Sequence, residues 1–101
     1  MKRTVVINVV GLTRRLIGAN TPHIQKFVEA GSICDISPVL PAVTCSAQST
    51  YLTGSLPQSH GVVGNGWYFK DECEVKFWRQ SNKLVSEPKI WEVLKAQNPD
   101  F

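Results

Sequence analysis

The run Thr4–Val10 reads Thr-Val-Val-Ile-Asn-Val-Val, apolar and β-branched with only Asn8 in its interior to interrupt it, and it restricts the fold more than any other stretch. A strand wetted on one face alternates apolar with polar residues, so a run without alternation is expected of a central strand covered on both faces, as in parallel sheets. Gly11 ends it. Lys2 and Arg3 precede the run, as they would in a secretion leader, but Gly-Leu-Thr-Arg-Arg follows it and no small-residue cleavage pattern is present, which favours the strand. Thr21-Pro22 then gives a cap with proline at the first helical position, and Ile24, Phe27 and Val28 recur at helical spacing up to Gly31. Ser32–Ser37 is a second, shorter strand candidate. Strand, helix, strand in that order predicts a parallel unit with a right-handed crossover, that is, an α/β fold.

Beyond Pro38 and Pro41, Cys45–Thr53 is free of glycine and proline, so a helix beginning near Thr44 and stopping at Gly54 is expected. Ser55–Gly66 is loop-like, with Val62 and Val63 available to bury part of it. Trp67–Phe69 and Glu74–Trp78 pair as a hairpin around Lys70–Cys73, and Pro88 opens a last helix whose apolar face is Ile90, Trp91, Val93 and Leu94 and whose end is Asn98-Pro99. An α/β pattern would next supply another strand, whereas the sequence stops at residue 101, so residues 1–101 are expected to be one incomplete domain.

With 43% hydrophobic and 19% charged residues the chain is expected to pack rather than to remain disordered. The net charge of +3 is scattered and forms no basic stripe interleaved with aromatics, which gives no support to binding of a nucleic-acid polymer. Cys34, Cys45 and Cys73 form neither a complete disulfide framework nor a paired zinc signature, and a cytoplasmic, reducing location is the simplest fit. No apolar run is long enough to span a membrane. Oligomeric state is left open.

Thr44 carries the chemistry that can be argued from position. A hydroxyl at a helix start lies beside unpaired N–H groups and the positive end of the helix dipole, where a phosphate or other anion is favoured. Two readings remain open: a helix cap, which needs only an oxygen acceptor, and a nucleophile. Cys45 at the same helix end could be an alternative nucleophile, with a buried apolar role as the simpler expectation. His60 is read as structural in a Ser-His-Gly turn and His23 as a surface residue. Asp35, Asp71, Glu72 and Glu74 have no spacing that assembles a dyad or a metal cage. Trp67, Tyr68, Phe77, Trp78 and Trp91 could stack on a base, but core packing is the default.

The order of several motifs adds a resemblance. The strand ending in Gly11-Leu12, the Thr21-Pro22 helix start, Pro38–Thr44, Tyr51-Leu52-Thr53-Gly54, Pro57-Gln58-Ser59-His60-Gly61 and Gly64-Asn65-Gly66-Trp67-Tyr68 together resemble the N-terminal part of the type I phosphodiesterase/nucleotide pyrophosphatase family of the alkaline phosphatase superfamily. The resemblance covers nearly the whole chain and only the opening of the family's catalytic domain. It implies an alkaline phosphatase-like fold with a mostly parallel central sheet flanked by helices. It also implies metal-dependent hydrolysis of a phosphodiester or nucleotide-type pyrophosphate, with two divalent ions, usually zinc, and a threonine nucleophile that matches Thr44, itself bound to metal. A threonine hydroxyl is a poor nucleophile at neutral pH, and a metal that lowers its pKa would make it a good one.

Two positions depart from the family pattern. Relatives end the first strand with Asp-Gly, the Asp being a metal ligand, where this chain has Val10-Gly11. Asn8, two residues earlier and so on the same face of a strand, is a conceivable substitute ligand, although zinc favours His, Cys or carboxylate. Many relatives also place a phosphate-contacting Asn downstream of the nucleophile, and the position taken to match it is Ala47, leaving that role to backbone N–H groups. The other metal ligands of the family belong to segments beyond Phe101. The alternative function is therefore a non-catalytic scaffold or binding fragment lacking a complete metal site, and an isolated 101-residue chain is expected to be inactive.

Overall fold

The computed structural model describes residues 3–79 and 81–100, which fall into two units, Met1–Ile36 and Ser37–Phe101. In the first unit Thr4–Val10 enters no ladder, and its side chains are open to solvent, Val6 being 86% exposed. The expected central strand is thus not formed among the described residues, and neither is the strand expected at Ser32–Ser37. The physical reason is pairing: an extended segment satisfies its N–H and C=O groups in a sheet only against a neighbouring strand. Gly11 turns the chain with φ 78°, and Leu12 N–H bonds to the Val9 carbonyl at 3.3 Å. A 3-10 turn at Arg14–Leu16 follows.

Helix α1, Pro22–Ala30, has proline in its first turn and Gly31 at its end, as its sequence predicts. Thr21 does not cap it through its side chain. Its hydroxyl folds back instead, donating to the Leu16 carbonyl at 2.9 Å and accepting the Gly18 N–H at 2.9 Å, so it ties the preceding turn to the helix start. Of the predicted apolar stripe Ile24 and Val28 are half-buried, whereas Phe27 is exposed. An exposed ion pair, Arg14–Asp35 at 3.1 Å, ties the 3-10 turn to the segment after α1.

The second unit holds the buried residues. Helix α2, Thr44–Thr53, ends at Gly54, whose φ of 69° is the left-handed conformation that helix ends use to satisfy a carbonyl. The single helical turn α3, Pro57–His60, also starts on a proline and ends on a left-handed glycine, Gly61 at φ 79°. This turn lies inside the stretch read from sequence as loop. Helices α2 and α3 pack on each other, and Ser46, Pro57, His60 and Val62 are buried there. Val63 points outward, so one of the two valines of that stretch does the burying.

Strands β1, Gly66–Phe69, and β2, Glu74–Phe77, form an antiparallel hairpin with Gly66 opposite Phe77 and Trp67 opposite Lys76. A Cβ at position 66 would lie 2.8 Å from the exposed Phe77 ring, which would have to move aside to admit one. On one hairpin face Lys76 pairs with Glu72 and Glu74 and stands 5.4 Å over the Phe69 ring. Tyr68, Val75 and Phe77 on the other face are exposed, as are Trp78 and Trp91. The default expectation that the aromatics pack a core therefore fails for four of the five. Helix α4, Ile90–Gln97, begins two residues after Pro88. Glu92 fastens its start, accepting the Lys89 N–H at 2.8 Å and the Asn82 side-chain amide at 3.1 Å. Those two donors hold its carboxyl below the usual carboxylate range. Among the described residues the architecture is mixed helix with one small antiparallel sheet.

Candidate functional site

Thr44 is the first residue of α2, and the N-cap is Val43, extended at φ −124° and ψ 157°. Valine has no oxygen to offer, so neither Val43 nor Thr44 caps the helix through its side chain. Ala47 is the first to bond back along the helix, to the Val43 carbonyl at 3.0 Å. The N–H groups of Thr44, Cys45 and Ser46 therefore precede the ladder, as the first turn of any helix requires. The Ala47 N–H is spent on the helix, so the backbone N–H groups without a helical partner are those before it.

Asn65 supplies the missing cap from twenty residues away, its Oδ1 accepting the Cys45 N–H at 3.0 Å. Its position is set from the other side too, since the Asn65 carbonyl accepts the Trp78 N–H at 2.9 Å. With the carbonyl end of the amide occupied by Cys45, the Nδ2 end carries two donors. Asn65 was read from sequence only as part of the Gly64–Tyr68 motif. The sequence around it, an amide between Gly64 and Gly66, reads first as a turn and carries no signal of the bond to Cys45.

Thr44 is exposed and Cys45 half-buried. Ser46, the third residue of the turn, is fully buried, and its hydroxyl has no partner among the described residues. Below the turn lies His60, fully buried. Its Nδ1 takes the Val62 N–H at 3.1 Å, and its Nε2 lies 3.0 Å from Thr50 Oγ1. A backbone N–H can only donate, so Nδ1 must be the lone-pair nitrogen and Nε2 carries the proton. Thr50 Oγ1 in turn donates to the Ser46 carbonyl at 2.9 Å. Burial pushes the His60 pKa below its ordinary value of 6.5, against smaller upward effects of a backbone hydrogen bond and the Glu87 charge. Both ring nitrogens are thus used in holding the fold, in line with the structural reading.

Asn8 and Val10 belong to the first unit and Thr44 to the second. Asn8 lies exposed in the unpaired segment. No three His, Cys, Asp or Glu side chains gather as a metal-binding group among the described residues. Those residues alone do not fit a two-ion centre. The three cysteines are free. No helix among the described residues is long and apolar enough to cross a membrane.

The fold is mixed, with a hydroxyl residue opening a helix whose next N–H is taken by an amide from a distant loop. The chain belongs to the type I phosphodiesterase / nucleotide pyrophosphatase family, whose profile matches residues 4–100. That membership points to a hydrolase of small phosphodiester or nucleotide substrates. Comparison with curated proteins and with solved structures returned no match.

Proposed function

We propose that the protein hydrolyses phosphodiester or nucleotide pyrophosphate bonds through Thr44. The observation that supports this reading most is the first turn of α2: Thr44 opens the helix without serving as its cap, beside N–H groups that precede the ladder and an amide held on Cys45. In the proposed reaction Thr44 Oγ forms a bond to phosphorus as the ester or anhydride oxygen leaves, and water then cleaves the phosphothreonyl group. The net reaction consumes one water. The Thr44 N–H group and Asn65 Nδ2 donate to the phosphoryl oxygens, where charge gathers in the transition state.

The family resemblance further supports two divalent ions, zinc by preference, with Thr44 as one contact, while Asn8 is a weak candidate only by its place two residues before Val10. It also supports a parallel sheet in which Thr4–Val10 is a strand and one catalytic domain of which residues 1–101 are the N-terminal portion; the cytoplasmic location rests on the three cysteines alone. A second reading, a non-catalytic scaffold that binds a ligand or partner, is favoured by Val10 at the position of a ligand Asp and by the absence of a metal-binding group among the described residues. The test is hydrolysis of a chromogenic phosphodiester by the natural full-length protein with added zinc, beside Thr44→Ala. Loss of turnover in the variant is expected. Equal rates would remove Thr44 from the mechanism, and no turnover in either protein would favour the scaffold.

A further inference from the structure

We propose that His60 is a positioning residue, its ring acting as the spacer that holds the first turn of α2 in register with Asn65. The functional meaning rests on the Thr44 reading, but the geometry stands apart from it. Two routes leave the ring. Through Nε2–H and Thr50 it reaches the carbonyl of Ser46, two residues from Thr44. Through Nδ1 it takes the N–H of Val62, the root of the short stretch 62–65 that returns Asn65 to Cys45. Ring, helix turn, Asn65 and stretch 62–65 therefore close a circuit in which every bond but the ring's own belongs to the site or its support.

Burial makes the circuit stiff. His60, Val62 and Ser46 are all buried, with Val62 only 2% exposed. The His60 carbonyl also accepts the Ser86 N–H at 3.0 Å, which pins the residue from behind. A Cβ on the neighbouring Gly61 would come within 3.3 Å of Ser86 Oγ, so the turn has little room to shift. Only one tautomer of neutral imidazole fits both partners, because protonating Nδ1 would place a proton against the Val62 N–H. Glu87 is the charged group that bears on the ring. An aliphatic residue of the same size could fill the space but could not hold both sides, so the role is one of register as well as packing.

The test follows amide hydrogen exchange in the full chain, reading Cys45 against Trp67 and Lys76 of the hairpin. Asparagine places an acceptor near the position of Nδ1 and glutamine a donor near that of Nε2, so each replaces one contact. In His60→Ala, protection of the Cys45 amide is expected to fall about tenfold, the equivalent of roughly one net hydrogen bond, with the hairpin amides unchanged. His60→Asn and His60→Gln should each restore part of it. In the parent protein the Cys45 signal should move with the same pH midpoint as the His60 ring signals. Parent-like Cys45 protection in both conservative variants, or an even loss at Cys45 and the hairpin, would overturn the proposal. Running the series in Thr44→Ala as well keeps the two readings apart: the Cys45 pattern should persist there whether or not Thr44 is the nucleophile.

Discussion

Asn65 offers the sharpest separation of structural from chemical roles. Its amide makes one hydrogen bond to a half-buried N–H at a helix start, 3.0 Å long. Loss of a side-chain cap costs ~0.5–2 kcal/mol, and because Cys45 is only half-buried, water can replace part of the bond, which puts Asn65→Ala near 1 kcal/mol, toward the low end for an orphaned donor. With a urea dependence of ~1–3 kcal/mol per molar for a small protein, the unfolding midpoint should drop by ~0.3–1 M. Asn65→Asp behaves differently. It keeps the acceptor and adds a negative charge at the positive end of α2, worth ~0.3–1 kcal/mol in favour of folding. The same charge replaces the two Nδ2 donors and repels a phosphoryl group. Stability held or raised, together with lost turnover in the full-length protein, is the expected pair of results. An Asn65→Ala midpoint unchanged within error would refute the capping argument, and parent-like hydrolysis by Asn65→Asp would refute the donor role.

Three further outcomes follow from the buried residues of the second unit. His60 is neutral when folded and titrates below its ordinary value of 6.5. Between its folded and unfolded pKa values the unfolded chain binds the extra proton, so its contribution is fully present above about pH 6.5 and declines as pH falls through the folded value, by at most ~1.4 kcal/mol per pH unit; urea melts at pH 7.5 and 5.5 should show this component, and His60→Gln should lack it. Val62 is buried, and Val62→Ala should cost ~1–2.5 kcal/mol in the same melts, combining lost transfer energy with the cavity left behind. Ser46 Oγ is buried with no partner among the described residues, so Ser46→Ala should be neutral or stabilising by up to ~1 kcal/mol. A clear loss of stability in Ser46→Ala would mean that this hydroxyl is bonded.

Local punctuation made much of the fold legible in advance. The stop at Gly54, the start at Pro22 and the hairpin around Lys70–Cys73 follow from backbone preferences of a few residues, and these elements lie where those preferences predict. The parallel strands were a different kind of inference, because burial on both faces depends on neighbours that the run itself does not contain. Thr4–Val10 has the composition of a central strand and stands unpaired among the described residues. The site divides in the same way. Thr44 was visible because it sits at a helix boundary, whereas the role of Asn65 depends on a contact with Cys45 twenty residues away. The match of Ala47 to the family's Asn was read from spacing along the chain, which says nothing of an amide fastened to this helix end from across it.

That division of labour gives Thr44 a test independent of catalysis. If Thr44 were the cap, its oxygen would be committed to the N–H groups of the first turn, and replacing it would cost ~1 kcal/mol. Val43 occupies the cap position and Asn65 takes the Cys45 N–H, so the hydroxyl is released from that duty. Thr44→Val keeps the shape and β-branching while removing the oxygen. Its helix preference is close to that of threonine, and its exposure leaves no buried partner to orphan. The stability change should therefore stay within ~0.5 kcal/mol, the range of ordinary surface substitutions, while turnover in the full-length protein disappears. A loss near the full value of a cap would return Thr44 to a structural role. An unchanged melt with intact hydrolysis would leave the hydroxyl with neither task, and the nucleophile would have to be sought elsewhere.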